Sequence, residues 1–204
     1  MMRWVLATGN TGKLKEMRAV LAALPVELVA QSELGIGSVE ETGLTFVENA
    51  LIKARHAAAA SGLPALADDS GLIVPALGGA PGLITAHYAG IHGDSAANIA
   101  KLLAEMRDLH PDQRRACFYS VIVLLRSPDD PEPLIAEGRW QGSILMSPRG
   151  NGGFGYDPIF LDPATGLSAA ELPATDKNQR SHRGLALARL QALLMERSPD
   201  HEPA

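Results

Sequence analysis

The sequence describes a mixed α/β protein, and three patterns point there. Short apolar segments alternate with amphipathic helical segments at both ends of the chain. The run from Ala116 to Leu125 is apolar on both faces, as a central strand is. A Pro/Asp-rich turn at Ser127 to Pro133 follows it, and Ile135 to Gln141 is suited to return as a hairpin partner. At 204 residues, 46% of them hydrophobic, the chain is long enough to bury a sizeable core.

Taken in order, Trp4 to Thr8 reads as a short buried strand ending in Gly9-Asn10-Thr11-Gly12. A helix follows, because Leu14, Met17, Leu21 and Leu24 recur on one face, and Pro25 ends it. Val26, Leu28 and Ala30 alternate as a second strand. Thr45-Phe46-Val47-Glu48 has the form of a capping box, opening a helix that runs through Ala60 and is closed by Gly62 and Pro64. Ala65-Leu66-Ala67 is a third strand leading into Asp68-Asp69-Ser70-Gly71. Ile99, Leu102, Leu103 and Met106 mark a further helix, Arg149 to Gly155 is a glycine-rich loop, and Ser181 to Leu194 is the last helix. No internal repeat or linker divides the chain. Residues 1–195 are expected to form one domain and 196–204 a frayed tail.

The charge balance is 18 Lys and Arg against 23 Asp and Glu, a net −5 that offers no general field for nucleic acid. An anionic ligand must then be held by local cations. The lone Cys117 sits in the apolar run and reads as buried packing, with no partner for a disulfide or a thiolate cluster. The apolar N-terminal stretch is too short for a signal peptide, and the uncharged segment Ser70 to Gly93 is broken by Pro75, Pro81 and several glycines, unlike a lipid-facing helix. A soluble, cytoplasmic protein is the expectation.

Four groups of residues are suited to chemistry. Thr8-Gly9-Asn10-Thr11-Gly12-Lys13 stands where a strand meets a helix, so its amides, the helix dipole and Lys13 suit an anion. Its spacing is not that of a P-loop, and a tight turn with a solvated lysine would read the same. In Asp68-Asp69, successive strand residues point to opposite faces, so one carboxylate can meet a ligand while the other braces a loop. Such a carboxylate suits Mg²⁺, and Glu40-Glu41 offers a second acidic ligand; a polar turn is the plain alternative. Gly152 to Pro158 brings Phe154 and Tyr156, with Phe160 just beyond, into one short stretch, where a flat ring can stack or the aromatics can enter the core. Lys177 and Ser181-His182-Arg183 place cations near a helix start, where an anion, a base carbonyl or a solvated surface would accommodate them. His56, His87, His92, His110 and His201 show no metal-ligand spacing.

These motifs, with Glu40-Glu41-Thr42-Gly43-Leu44-Thr45-Phe46 and Phe154-Gly155-Tyr156-Asp157-Pro158-Ile159-Phe160, resemble the inosine/xanthosine triphosphate pyrophosphatases, the bacterial dITP/XTP pyrophosphatase or Ham1-like family. The resemblance runs in order from about residue 3 to 195. It implies an elongated mixed β-sheet with flanking helices, two lobes around a central nucleotide-binding cleft, and a homodimer. It implies Mg²⁺-dependent hydrolysis of ITP, dITP and XTP to the monophosphate and pyrophosphate. Carried onto this chain, it assigns Thr8, Gly9, Asn10, Thr11, Gly12 and Lys13 to the triphosphate, and Asp69 to the metal and the catalytic base. Glu40 is the second metal ligand, with Glu41 the alternative. Ser70, Phe154, Gly155, Tyr156, Asp157, Lys177, His182 and Arg183 would contact substrate. Two stretches depart from the family pattern: His87 stands where Arg is usual, and the segment Glu171 to Asp176 ahead of Lys177 is altered.

Overall fold

Strand β1 (Met2–Ala7) is buried from Trp4 to Ala7, and helix α1 (Thr11–Leu21) follows after a cap in which the Asn10 side chain accepts the Lys13 N–H three residues on. α1 stops at Leu21, short of Pro25, so Leu24 lies beyond the helix whose apolar face it was expected to extend. β2 (Val26–Ala30) takes the bounds its alternation indicates. α2 (Phe46–Ser61) begins at the Thr45 cap and ends at Gly62, whose φ of 68° is the left-handed conformation that glycine adopts without a steric cost. The computed structural model describes residues 2–22 and 24–197 of the chain.

β3 (Ala65–Ile73) corrects the sequence reading. It does not end at Ala67 but continues through Asp68, Asp69, Ser70 and Gly71. The carboxylates look like a turn in sequence because isolated aspartates disfavour strands. Here both are buried and met by cations, so the strand carries on. α3 (Ser95–Glu105) is capped by Asp94, which accepts the Ala97 N–H. β4 (Arg115–Leu125) is buried along nearly its whole length, and β5 (Leu134–Ile144) alternates buried and exposed residues for most of its own. Two elements were not anticipated: the short strand β6 (Phe160–Leu161) and helix α4 (Ala174–Arg180). Ser181 is extended between α4 and the last helix, α5 (His182–Glu196). Glu196, assigned in advance to the tail, ends α5, and Arg197 donates to Glu132 at 3.0 Å; residues 198–204 lie outside the described residues.

The six strands form one sheet in the order β2-β1-β3-β4-β5-β6. β1 runs parallel to β2 and β3, while β5 and β6 are antiparallel, so the sheet is mixed as the alternating pattern implies. The β1–β3 pairing covers Val5 with Ala65 to Ala7 with Ala67. Asp68 and Asp69 therefore follow the point at which the parallel partner ends, the place where open α/β sheets receive ligands.

The chain gathers into two compact units. The first comprises the residues up to Asp69, Ser120–Gly138 and those from His182 onward. Its core includes Leu6, Met17, Leu66, Ile122 and Leu187, all fully buried, with α1 packed on α5. Burying each such side chain contributes about 1.5–3 kcal/mol. The second comprises Ser70–Tyr119 and Arg139–Ser181, around Leu72, Leu102, Phe118, Trp140 and Phe160. β3, β4 and β5 each pass from one unit to the other partway along, which is why no linker is visible in the sequence. Cys117 is buried as expected. Among the described residues no helix is long and apolar enough to cross a membrane.

Candidate active site

In the first unit, the alternation of β3 sends the two adjacent carboxylates to different partners. Asp68 accepts from Lys13 at 2.7 Å, from the Arg183 guanidinium at 3.4 Å and from the Ser120 hydroxyl. Arg183 also pairs closely with Glu16 of α1. Burial alone would raise the Asp68 pKa, yet Lys13, Arg183 and Ser120 overcome it and hold the carboxyl far below the usual carboxylate range. Asp68 is thus a fixed anion that anchors Lys13.

Asp69 meets a different cation. Its carboxylate lies 2.7 Å from Lys53 Nζ on α2, and the same ammonium is 3.1 Å from Glu41. Burial pushes the Asp69 carboxyl up to about 6, with Lys53 and Lys13 opposing the rise and Glu41 adding to it. Lys53 is held above its ordinary value: burial opposes this, but Asp69 and Glu41 prevail. Lys13 is lowered, by burial first, with Asp68 opposing. A carboxyl poised near neutrality beside two lysines is the arrangement a general base requires.

The turn ahead of α1 is held by its own side-chain oxygens. Thr8 Oγ1 accepts the Asn10 N–H at 3.1 Å and Asn10 Oδ1 accepts the Lys13 N–H at 3.0 Å. Thr11 and Gly12 lie in the first turn of the helix, where amides point outward from the N-terminus. Gly9 is exposed, and a Cβ there would meet open space, so no packing demand accounts for it.

In the second unit, Asp157 organises the glycine-rich segment. Its Oδ2 accepts the Phe154 N–H at 2.7 Å and lies 2.7 Å from Lys177 Nζ. Lys177 stands 4.9 Å from the centre of the Phe154 ring. Gly153 adopts a φ of 72°, and any Cβ on it would strike the Asp157 carboxylate, so glycine is required there. Of the three clustered aromatics only Phe154, 37% exposed, has its side chain open to solvent; Tyr156 and Phe160 are 2% and 0% exposed and belong to the core. Tyr156 and Phe160 thus take the alternative left open in the sequence, entry into the core, and Phe154 does not. The tyrosine hydroxyl instead donates to the Thr85 carbonyl at 3.0 Å.

The structure brings Thr8 to Lys13, Asp69 and Arg183 into the first unit's cluster, and Phe154 to Asp157 with Lys177 into a cluster of the second. Ser70 follows directly on Asp69 along β3. His182 and Arg183 occupy the first turn of α5 and are buried, so Arg183 acts through Asp68 instead of standing open as a cationic clamp. Glu40 is exposed, and the acidic residue linked to Asp69 through Lys53 is its neighbour Glu41. His87 is exposed, its ring stacked 6.5 Å from that of His92.

Lys53, Glu16 and Ser120 were not singled out from the sequence. Lys53 had a signal, being a cation on the alanine-rich helix face that also carries Asn49, Ala50, Ala54 and Ala57. A lysine on a buried face implies a partner. Glu16 is one charge among several on an amphipathic helix, and nothing local marks it or Ser120. Among the described residues no cluster of three or more His, Cys, Asp or Glu is preformed for a metal. Mg²⁺ needs only one or two carboxylates, with water and substrate oxygens completing its shell. Asp69 and Glu41, already sharing one cation, fit that requirement.

A mixed α/β sheet with a strand-to-helix turn beside a lysine-held carboxylate pair is an arrangement suited to phosphate ester and anhydride chemistry. The Ham1 family model matches residues 4–193. A dITP/XTP pyrophosphatase of Xanthomonas campestris is 66% identical over 187 residues, 92% of this chain and 94% of that protein. The solved Ham1 protein of Coxiella burnetii superposes with a TM-score of 0.89 at 48% identity, covering 96% of this chain and all of the other. That of Staphylococcus aureus gives 0.84 at 38% identity, again over 96% of this chain. The chain belongs to the Ham1 family.

Proposed function

We propose that the protein hydrolyses deaminated purine nucleoside triphosphates, ITP, dITP and XTP, to the monophosphate and pyrophosphate in the cytoplasm. The observation that carries this reading is the division of labour between Asp68 and Asp69. One carboxylate is locked to Lys13 and Arg183, and the other is raised toward neutral pH and held only by Lys53. The family relatives named as dITP/XTP pyrophosphatases support the substrate class.

In this reading the amides of Thr8 to Gly12 and the Lys13 ammonium bind the triphosphate, supplying local positive charge within a chain of net −5. Asp69 orients the attacking water and accepts its proton, while Lys53 keeps that carboxylate in place. Asp69 with Glu41, or Glu40 from the same loop, would hold Mg²⁺, which would supply positive charge to the phosphoryl oxygens when bound. Ser70 binds substrate next to Asp69. Phe154 stacks on the base, Gly155 gives the ring room, and Asp157 fixes Phe154 and Lys177. His182 supplies a donor to the base, with Arg183 steadying Asp68 behind it. A 6-oxo purine accepts from such a donor, whereas the 6-amino group of adenine opposes it. An unpaired buried polar group of this kind can give discrimination of about 10⁴-fold. The active form is a homodimer, checked by light scattering during gel filtration.

A panel of nucleoside triphosphates, with and without Mg²⁺, tests the assignment by scoring pyrophosphate against orthophosphate. Metal-dependent release of pyrophosphate from ITP and XTP, with little from ATP, is expected. Orthophosphate as the product, or no turnover of any 6-oxo purine, overturns it.

A further inference from the structure

Thr85 lies in the helical turn Gly82–His87, within a segment that none of the roles above employs. Its side-chain hydroxyl accepts the Leu72 N–H at 2.9 Å and donates to the Gly82 carbonyl at 2.7 Å. Its own carbonyl accepts the Tyr156 hydroxyl at 3.0 Å. One residue therefore holds β3 directly beyond Asp69-Ser70-Gly71 and also holds the Phe154–Asp157 segment by its tyrosine. Thr85 and its three partners all belong to the second unit.

The surroundings make this junction rigid. Ile73 bridges to Pro81 and the Val74 N–H donates to the Ala80 carbonyl at 3.2 Å, so the end of β3 is also paired with the residues just ahead of the turn. Asn98 of α3 donates to the Ala86 carbonyl at 3.2 Å and accepts the Ala89 N–H at 2.7 Å, while Tyr88 bonds Glu105. The turn is thereby fastened to α3. Burial raises the Tyr156 hydroxyl above its ordinary value, so it remains a donor across the working pH range.

We propose that Thr85 is a positioning residue that sets the Ser70–Leu72 stretch of β3 and the base-stacking Phe154 segment, both of the second unit, in register with each other. The inference rests on the proposed nucleotide hydrolysis. The reaction needs both segments correctly placed against the bound nucleotide, and a misplaced stacking ring weakens its binding by roughly tenfold. Without the Thr85 hydroxyl, the Leu72 N–H and the Gly82 carbonyl lose their shared partner, and the turn that carries the Tyr156 acceptor loses its side-chain tie to β3.

The test compares Thr85→Val, which keeps the shape and removes the hydroxyl, with Thr85→Ser, which keeps the hydroxyl, and with Tyr156→Phe. Inosine triphosphate hydrolysis with Mg²⁺ is followed as separate kcat and KM values, alongside Tm. Thr85→Val and Tyr156→Phe are expected to raise KM about tenfold, whereas Thr85→Ser stays within about twofold of the unsubstituted protein. Hydrogen exchange at the Leu72 amide, read on the protein without substrate, is expected to quicken in Thr85→Val and to stay slow in Thr85→Ser. A lower Tm with unchanged KM in Thr85→Val would reduce the residue to a structural role, and a Thr85→Ser protein as impaired as Thr85→Val would remove the hydroxyl from the argument. If Thr85→Val does not fold, Tyr156→Phe with wild-type KM overturns the proposal. An unsubstituted protein that does not hydrolyse inosine triphosphate overturns the functional reading itself, while an active one with indifferent variants overturns only this inference.

Discussion

Asp68 and Asp69 are neighbours with opposite electrostatic fates. Pairing with Lys13 and Arg183 fixes Asp68 as an anion, whereas Asp69 is raised to about 6 because burial outweighs the help of Lys53. Asp69→Asn keeps the volume and removes the base, so kcat should fall by about 10²–10⁴-fold with Tm little changed. Steady-state kinetics and thermal melts check this, and near-wild-type turnover would eliminate Asp69 as the base. Phe154 presents the exposed ring of its segment, and its N–H is pinned by Asp157. Phe154→Ala should raise KM for ITP by roughly tenfold, the scale of a lost base–aromatic stack, with kcat largely kept. An unaltered KM would move the base elsewhere.

Elements act on the site through close approaches. β5 passes so near α5 that a Cβ on Gly138 would collide with the His182 carbonyl and the Ala186 amide. Glycine is needed here for proximity, since its backbone is not in a left-handed conformation. Gly138→Ala must push back the first turn of α5, which carries His182 and Arg183. Overpacking of this kind costs about 1–3 kcal/mol, and for a chain of this size each kcal/mol lowers Tm by about 2–4 °C. The melt should therefore shift by several degrees, and KM should rise with it. A variant with wild-type Tm would show that β5 and α5 can separate at no cost. α2 serves the site differently: its capped N-terminus fixes where Lys53 falls, two turns into the helix, opposite Asp69.

Across the whole molecule, two cores are threaded by three strands that change unit midway, so the carboxylate pair sits at a boundary no linker marks. Its buried ion network also links stability to pH. The Asp68 pKa is depressed in the folded protein, so its contribution is fully present above about pH 4, the unfolded value, and is lost as pH falls toward the folded value. Asp68→Asn leaves Lys13 and Arg183 without their shared anion and should cost about 3–5 kcal/mol at neutral pH. The deficit relative to the unsubstituted protein should shrink as pH drops below about 4. Tm measured from pH 7 to pH 3 checks the sign, and a constant gap across that range would contradict the linkage.

Much of this was legible along the chain. The Thr45 cap and Gly62 stop delimit α2, the unbroken apolar run makes β4 central, and Asn10-Thr11-Gly12 marks where β1 gives way to α1, because each signal is set by residues within a few positions of one another. The alternation of a strand likewise required that Asp68 and Asp69 diverge. Which of them is locked and which is poised was decided only in three dimensions, by cations from α1, α2 and α5 that are remote in sequence. The extension of β3, the burial of Tyr156 and the choice of Phe154 as the open ring have the same origin. Local sequence sets where the chain turns and which face is apolar, but a polar or aromatic side chain takes its role from the partner that folding brings to it.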